Sequence, residues 1–260
     1  MVPSPHMPIQ FVRSTGAMVM REMVTSYGRS PGGYVWAVLE PVAAISLISV
    51  VFSLAFHAPS LGTSFVFFYA TAYLPFMLFN DVVNKLTSAL RYSRPLLAYP
   101  AVGFLDALMA RFLLNLVTHL LVFCIVIAGI FAIIRPPAII DIPIIFGALG
   151  MVAALSLGVG CLNCFLLTAF PVWERLWQII TRPLFIVSGI LFVYEDVPAQ
   201  FREWLWFNPL FHITGEMRRG FYANYEPGYV SPVFVYLTAL ICAVIGIFFL
   251  LRTYRDFLET

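Results

Sequence analysis

Lysine is nearly missing from this sequence. Lys85 is the only one among 260 residues, and Leu86 follows it. A GxxxxGK[ST] loop needs a lysine followed by Ser or Thr to reach nucleotide phosphates, so the chain cannot hydrolyse ATP by that route. Charge of either sign is scarce: Asp, Glu, Lys and Arg make up 11% of the residues, against roughly 25% in soluble domains. The net charge is +2 and no block of five or more basic residues occurs, which leaves nothing to attract a nucleic acid. The four cysteines, Cys124, Cys161, Cys164 and Cys242, all lie in apolar runs. Cys161-Leu-Asn-Cys164 has redox-motif spacing without a βαβ setting, so the pair reads as small packing residues, not a dithiol or metal site. The opening MVPSPHMPIQF has no positively charged head before an apolar stretch, and no cleaved signal peptide is expected.

What is present is apolar. Hydrophobic residues make up 61% of the chain, with 25 Phe, 12 Tyr and a mean hydropathy of +0.91. Such a composition belongs in a bilayer, and the reading is an all-α integral membrane protein forming one domain over residues 1–260. Six transmembrane helices are expected at 34–56, 64–84, 104–134, 142–168, 174–194 and 231–251, each long enough for a hydrocarbon core roughly 30 Å thick. The fifth is peculiar: its uninterrupted apolar part, 183–194, is short, and a full crossing must include Arg182 and Pro183. The first carries Glu40-Pro41, an acid that should face protein or water beside a kink. Arg111, Asn115 and His119 form a polar stripe at four-residue spacing, in which His119 reads as a packing residue before a proton carrier. Gly150, Ala154 and Gly158 repeat at the same spacing and predict a close helix–helix seam.

Three segments outside the spans carry pattern. Residues 11–29 read as an amphipathic interface helix, with Val12, Gly16, Val19, Met20, Met23, Val24 and Tyr27 on one arc and Arg13, Ser14, Arg21 and Thr25 opposite. Residues 91–103, RYSRPLLAYPAVG, combine a basic rim with an apolar patch between two prolines, long enough for a helical turn or two. Residues 195–228 are rich in Trp and Tyr and contain Asn208-Pro209, a helix start, followed by His212, Glu216 and Arg219 on one face. They read as a broken, re-entrant outer segment, which survives at membrane depth only where protein or water satisfies its backbone. With both termini inside, the basic residues divide 11 cytoplasmic against 4 outside, which orients the chain N-in and C-in.

The order of these elements resembles the membrane subunit of ABC-2 type exporters, closest to the branch that exports capsular polysaccharide across the Gram-negative inner membrane. The likeness rests on YGRSPGGYVWAVLEPVA (Tyr27 to Ala43), RPLLAYPAVGFLDAL (Arg94 to Leu108) and WFNPLFHITGEMRRGFY (Trp206 to Tyr222). The Asn-Pro block is shared widely among such permeases and does not identify a cargo. The resemblance implies two copies forming a pore, each docked on a separate nucleotide-binding ATPase subunit that holds ATP and Mg, with no cofactor or metal bound by this chain and no catalytic residue in it. It implies that 91–103 is the coupling helix, with Arg91, Arg94, Pro95, Leu96, Leu97, Tyr99 and Pro100 received by the ATPase. It implies an outer gate at Asn208, Pro209, His212, Glu216 and Arg219. A periplasmic co-polymerase and an outer-membrane channel would continue the path of a lipid-linked, often acidic polysaccharide.

For such a cargo, arginines at the cytoplasmic mouth (Arg21, Arg29, Arg91, Arg111, Arg182) would attract an anionic linker. Aromatic rings (Trp36, Tyr69, Tyr73, Phe76, Phe185, Phe192, Tyr194) would stack on sugar faces, with Glu40 beside them. The same scaffold exporting O-antigen, teichoic acid or a small hydrophobic molecule is the alternative. A membrane transferase needs clustered acidic metal ligands, and Asp81, Asp106 and Glu174 stand apart in the sequence. A passive channel leaves 91–103 without a role.

Overall fold

Short oxygen-bearing side chains set where several helices begin. The computed structural model describes residues 7–27, 33–97 and 103–259, and among these all the regular structure is helical, with no strand. In chain order the helices are α1 (Met7–Tyr27), α2 (Gly33–Ala55), α3 (Phe65–Thr87), α4 (Ala89–Leu97), α5 (Phe104–Ile133), α6 (Ile142–Ala169), α7 (Trp173–Val187), α8 (Ala199–Trp206), α9 (Pro209–Phe221) and α10 (Pro232–Glu259), with a 3-10 turn at Tyr194–Asp196 before α8. Ser64 Oγ accepts from the Phe67 N–H to start α3, and Asp141 Oδ1 accepts from the Ile144 N–H to start α6. Asn208 does the same for Leu210 at α9, with Pro209 at the first helical position as its sequence predicts. At α5 the Gly103 N–H donates to Asp106 Oδ2 at 2.9 Å.

Among the described residues five helices are long and apolar enough to cross a membrane: α2, α3, α5, α6 and α10. The fifth expected span, 174–194, is helical only as α7, whose 15 residues reach about 22 Å at 1.5 Å per residue. It stops at Val187 because Ser188 leads into Gly189, which turns the chain with φ +72. The chain then returns as two short helices, α8 and α9, meeting at Phe207-Asn208.

One end of the bundle, the distal end, bears the α2–α3 and α5–α6 turns. The opposite, basal end bears α4 and the α6–α7 turn. α3 is the core: nearly every side chain from Phe67 to Phe79 is buried, with α6, α5, α2 and α9 packed around it. α6 and α10 make the most extensive pairing, as the glycine seam predicts. A Cβ on Gly158 would fall on the Ala239 backbone, and one on Gly246 would meet the backbone of Cys161 and Leu162. α5 ends in an unusual way, with Arg135 at φ 49 before Pro136-Pro137, a left-handed position that glycine ordinarily fills.

α1 packs against α5. Thr15 and Glu22 are buried and Met18 packs on the core, whereas Met20, on the expected apolar arc, is 70% exposed. Glu22, the single acid of α1, turns inward to meet an arginine of α5.

Candidate functional site

Polar side chains gather at three levels of the bundle. At the basal end α3 stops at Thr87, and α4 restarts one residue later with two unlike faces. Ala89, Leu90 and Ser93 are buried, and Arg91, Tyr92, Arg94 and Pro95 are exposed. Arg91 Nη1 lies 2.9 Å from Glu174 Oε2 of α7, a half-exposed pair of the kind that contributes about 0–1 kcal/mol. Two indoles fix α7 more firmly: Trp173 Nε1 donates to Asn163 Oδ1 at 3.1 Å and Trp177 Nε1 donates to Asn84 Oδ1 at 3.2 Å. Of the segment predicted to couple, Leu96 and Leu97 close α4, and Tyr99 and Pro100 lie outside the described residues, as does Arg29.

Arg111 sits behind α4, only 4% exposed. Its Nη1 donates to the Lys85 carbonyl at 2.8 Å and to Ser88 Oγ at 3.0 Å. Its Nε is 3.1 Å from Glu22 Oε1, and its guanidinium lies 4.1 Å from the centre of the Tyr92 ring. The polar stripe of α5 therefore faces protein: Asn115 donates to the Arg111 carbonyl, and His119 Nε2 approaches Asp81 Oδ2 at 3.4 Å. The three acids that stand apart in the sequence each find a partner in space. Asp81 meets His119, Asp106 caps Gly103, and Glu174 meets Arg91.

The predicted path residues divide by environment. Tyr73, Phe76 and Phe185 form one edge-to-face cluster between α3 and α7. Tyr69 and Phe76 are buried in helix packing, as Arg111 is, and none of the three faces an opening of this single chain. Phe192 packs on Phe211, and Tyr194 stacks on Tyr229 with centroids 4.2 Å apart. Arg21, Trp36, Glu40 and Arg182 are exposed.

At the distal end α9 is buried on nearly all sides, against α3, α6 and α10. It holds the segment after α7 by its carbonyls. Asn208 Nδ2 donates to Val187, Thr214 Oγ1 to Ser188, and Arg218 to both Ile190 (3.0 Å) and Phe192 (2.9 Å). His212 is a bolt: its Nδ1 accepts the Ser231 N–H at 3.2 Å, so Nε2 carries the proton donated to the Trp206 carbonyl at 2.7 Å. Glu216 faces Arg219 at 3.3 Å, and Arg219 is the outward member. Burial pushes the Tyr225 phenol up to about 12, which keeps the proton that it donates to Glu195 Oε2 at 3.2 Å. Gly189 is locked in place by its φ of +72 and by the Phe211 ring, 2.8 Å from where a Cβ would lie. Gly189→Ala is therefore expected to destabilise the protein by about 1–2 kcal/mol from the left-handed backbone alone, read as a lowered melting temperature in detergent.

Comparison with known proteins places this arrangement. Residues 13–222 match the family described as ABC-2 type transporter. The chain belongs to the ABC-2 type transporter family. Similar proteins include the polysialic acid transport protein KpsM of Escherichia coli, 26% identical over 231 residues that cover 89% of this chain and 90% of that one. The capsule polysaccharide export inner-membrane protein CtrC of Neisseria meningitidis serogroup A is 27% identical over 241 residues, 90% of this chain and 89% of its own. BexB of Haemophilus influenzae, named a capsule polysaccharide export inner-membrane protein, is 26% identical over 237 residues, again 90% and 89%.

In this ABC-2 chain the sequence pattern passed over Glu22 and Arg218. Both left a signal. Glu22 is the only acid between residues 7 and 27, and an isolated acid on such a helix points to a partner. Arg218 falls four residues after Thr214 and seven after Phe211, on the apolar side of α9, while its neighbour Arg219 falls on the outer one.

Proposed function

We propose that the chain is the channel-forming subunit of an exporter that moves a lipid-linked, acidic capsular polysaccharide across the bacterial inner membrane. ATP and Mg are handled by a separate nucleotide-binding subunit. Two copies build the pore, with the basal end and both termini in the cytoplasm, and α7 with α8 and α9 supplies the fifth of six crossings. A periplasmic co-polymerase and an outer-membrane channel carry the polymer onward.

The observation that carries this reading is α4. It is a short helix with a buried apolar face and an outward face of Arg91, Tyr92, Arg94 and Pro95, fixed on one side to the α3 terminus and on the other to α7. Such a knob suits reception by a second protein. The basic residues concentrated at the same end favour an anionic cargo arriving there, and the three relatives are named for capsule or polysialic acid transport.

The test has two parts. Arg94→Cys is expected to cross-link to the nucleotide-binding subunit in native membranes. Deletion of the gene is expected to leave polysaccharide inside the cell, and the restored gene to return it to the surface, measured by fractionating the glycan. Normal surface glycan in the deletion strain would falsify the reading.

A further inference from the structure

We infer that Arg111 and Glu22 form the joint through which displacement of α4 reaches α1 and α5, which makes Arg111 a positioning residue of the transport cycle. This rests on the reading of α4 as the element that meets the ATPase subunit. One guanidinium touches four separate parts of the chain: Glu22 of α1, the Lys85 carbonyl at the end of α3, Ser88 in the α3–α4 junction and the Tyr92 ring of α4. Its own backbone belongs to α5, where Asn115 holds its carbonyl at 2.7 Å.

Physical chemistry makes the joint stiff. Both charges are almost fully withdrawn from solvent, with side-chain exposures of 5% for Arg111 and 8% for Glu22. Separating them strands a buried ion on each side, so the elements that carry them move together or not at all. The Lys85 carbonyl is one of the last four of α3, which lack partners within the helix, and a cation there also meets the negative end of the helix dipole. Tyr92 presents one face to the guanidinium and remains 40% exposed on the face of α4 that carries Arg91 and Arg94. A partner pressing on that face therefore pushes through a ring directly onto Arg111, and from there onto Glu22.

The geometry also separates the roles of the pair. The planar fork of arginine serves several acceptors at once, whereas a lysine at this position keeps the charge and reaches fewer of them. Glu22→Gln preserves shape and removes the charge.

The experiment uses the full chain with its nucleotide-binding subunit. Spin labels at Met20→Cys on α1 and Arg94→Cys on α4 report their separation with and without ATP, and surface polysaccharide is measured in cells. Unsubstituted at the joint, the complex should hold one narrow distance in both states, because the two helices travel as a unit. Glu22→Gln should broaden the distance in ATP and lower surface polysaccharide at least ten-fold, with the ATPase subunit still co-purifying. Arg111→Lys, which keeps the charge and reaches fewer acceptors, should lower surface polysaccharide about three-fold and broaden the distance to a lesser degree. Normal export and a narrow distance in Glu22→Gln would overturn the proposal. Should Glu22→Gln fail to accumulate in membranes, Arg111→Lys decides alone: a loss of export with its ATPase subunit retained supports the joint, and unaltered export and distance overturn it. Failure of the Arg94→Cys cross-link in the unaltered background removes the docking reading itself, an outcome distinct from an intact cross-link with unaffected coupling.

Discussion

Replacing Arg218 by methionine is expected to free the segment 188–193 from α9 while changing global stability little. The guanidinium is 1% exposed, is met by two backbone carbonyls and the Phe68 ring, and among the described residues has no carboxylate as an ion-pair partner. Methionine strips a donor from two buried carbonyls, at about 1–3 kcal/mol each. It also removes a buried cation, whose withdrawal from water costs several kcal/mol. The two effects are similar in size and opposite in sign, so the melting temperature is a poor reporter. The local effect has no such cancellation, because Ile190 and Phe192 lose the anchor to α9 that the guanidinium supplies. Deuterium uptake over 188–193 should rise on the order of ten-fold, converted from about 1.4 kcal/mol of lost local protection, and surface polysaccharide should fall. Unchanged uptake would mean that Asn208 and Thr214 hold the segment alone. Arg218→Lys, with a single prong, should lie between the two.

Gly158→Ala should be the most destabilising of the small substitutions, and Gly129→Ala is its matched control. At Gly158 the new methyl would land on the Ala239 carbonyl, with the carbonyl carbon at 2.9 Å and Cα at 3.0 Å, and all are backbone atoms that cannot swing aside. α6 and α10 must separate along their most extensive pairing. Overpacking of this kind costs typically about 1–3 kcal/mol, a drop of roughly 2–10 °C for a chain of this size. At Gly129 no atom lies within 4 Å, so alanine gains helix propensity, about 0.5–1 kcal/mol, without a clash. Opposite shifts in detergent melts are the expected result. A loss at both positions would trace the effect to glycine chemistry and not to the seam.

Much of the helical layout was legible because long apolar runs and their breakers act locally. Starts near Ser64 and Asp141, the Asn208-Pro209 turn and the glycines of α6 could be placed from spacing alone, and the structure uses them as spacing implies. The fifth span was harder, since hydropathy alone does not say that Gly189 takes a left-handed turn against the Phe211 ring and ends α7. The inward turn of Glu22 has no local signature for a related reason. An amphipathic pattern assumes that charge points away from protein, and Glu22 points inward because Arg111 waits there from about ninety residues away in sequence. Polar partners of this kind, Asp81 with His119 or Trp177 with Asn84, leave no local periodicity. Arg218 and Arg219 show the limit best: adjacent and chemically identical in the sequence, they differ entirely in surroundings after one residue of helical turn.

Lys85, solitary in the sequence, has its side chain exposed while its backbone oxygen receives Arg111. An amine-directed reagent therefore has one side chain to modify, at the foot of α3 next to the Arg111 cluster. A dye or isotope tag attached there would mark a single defined spot without any engineered cysteine. A lysine-specific protease would have one bond to cut, separating α1, α2 and nearly all of α3 from the remaining helices.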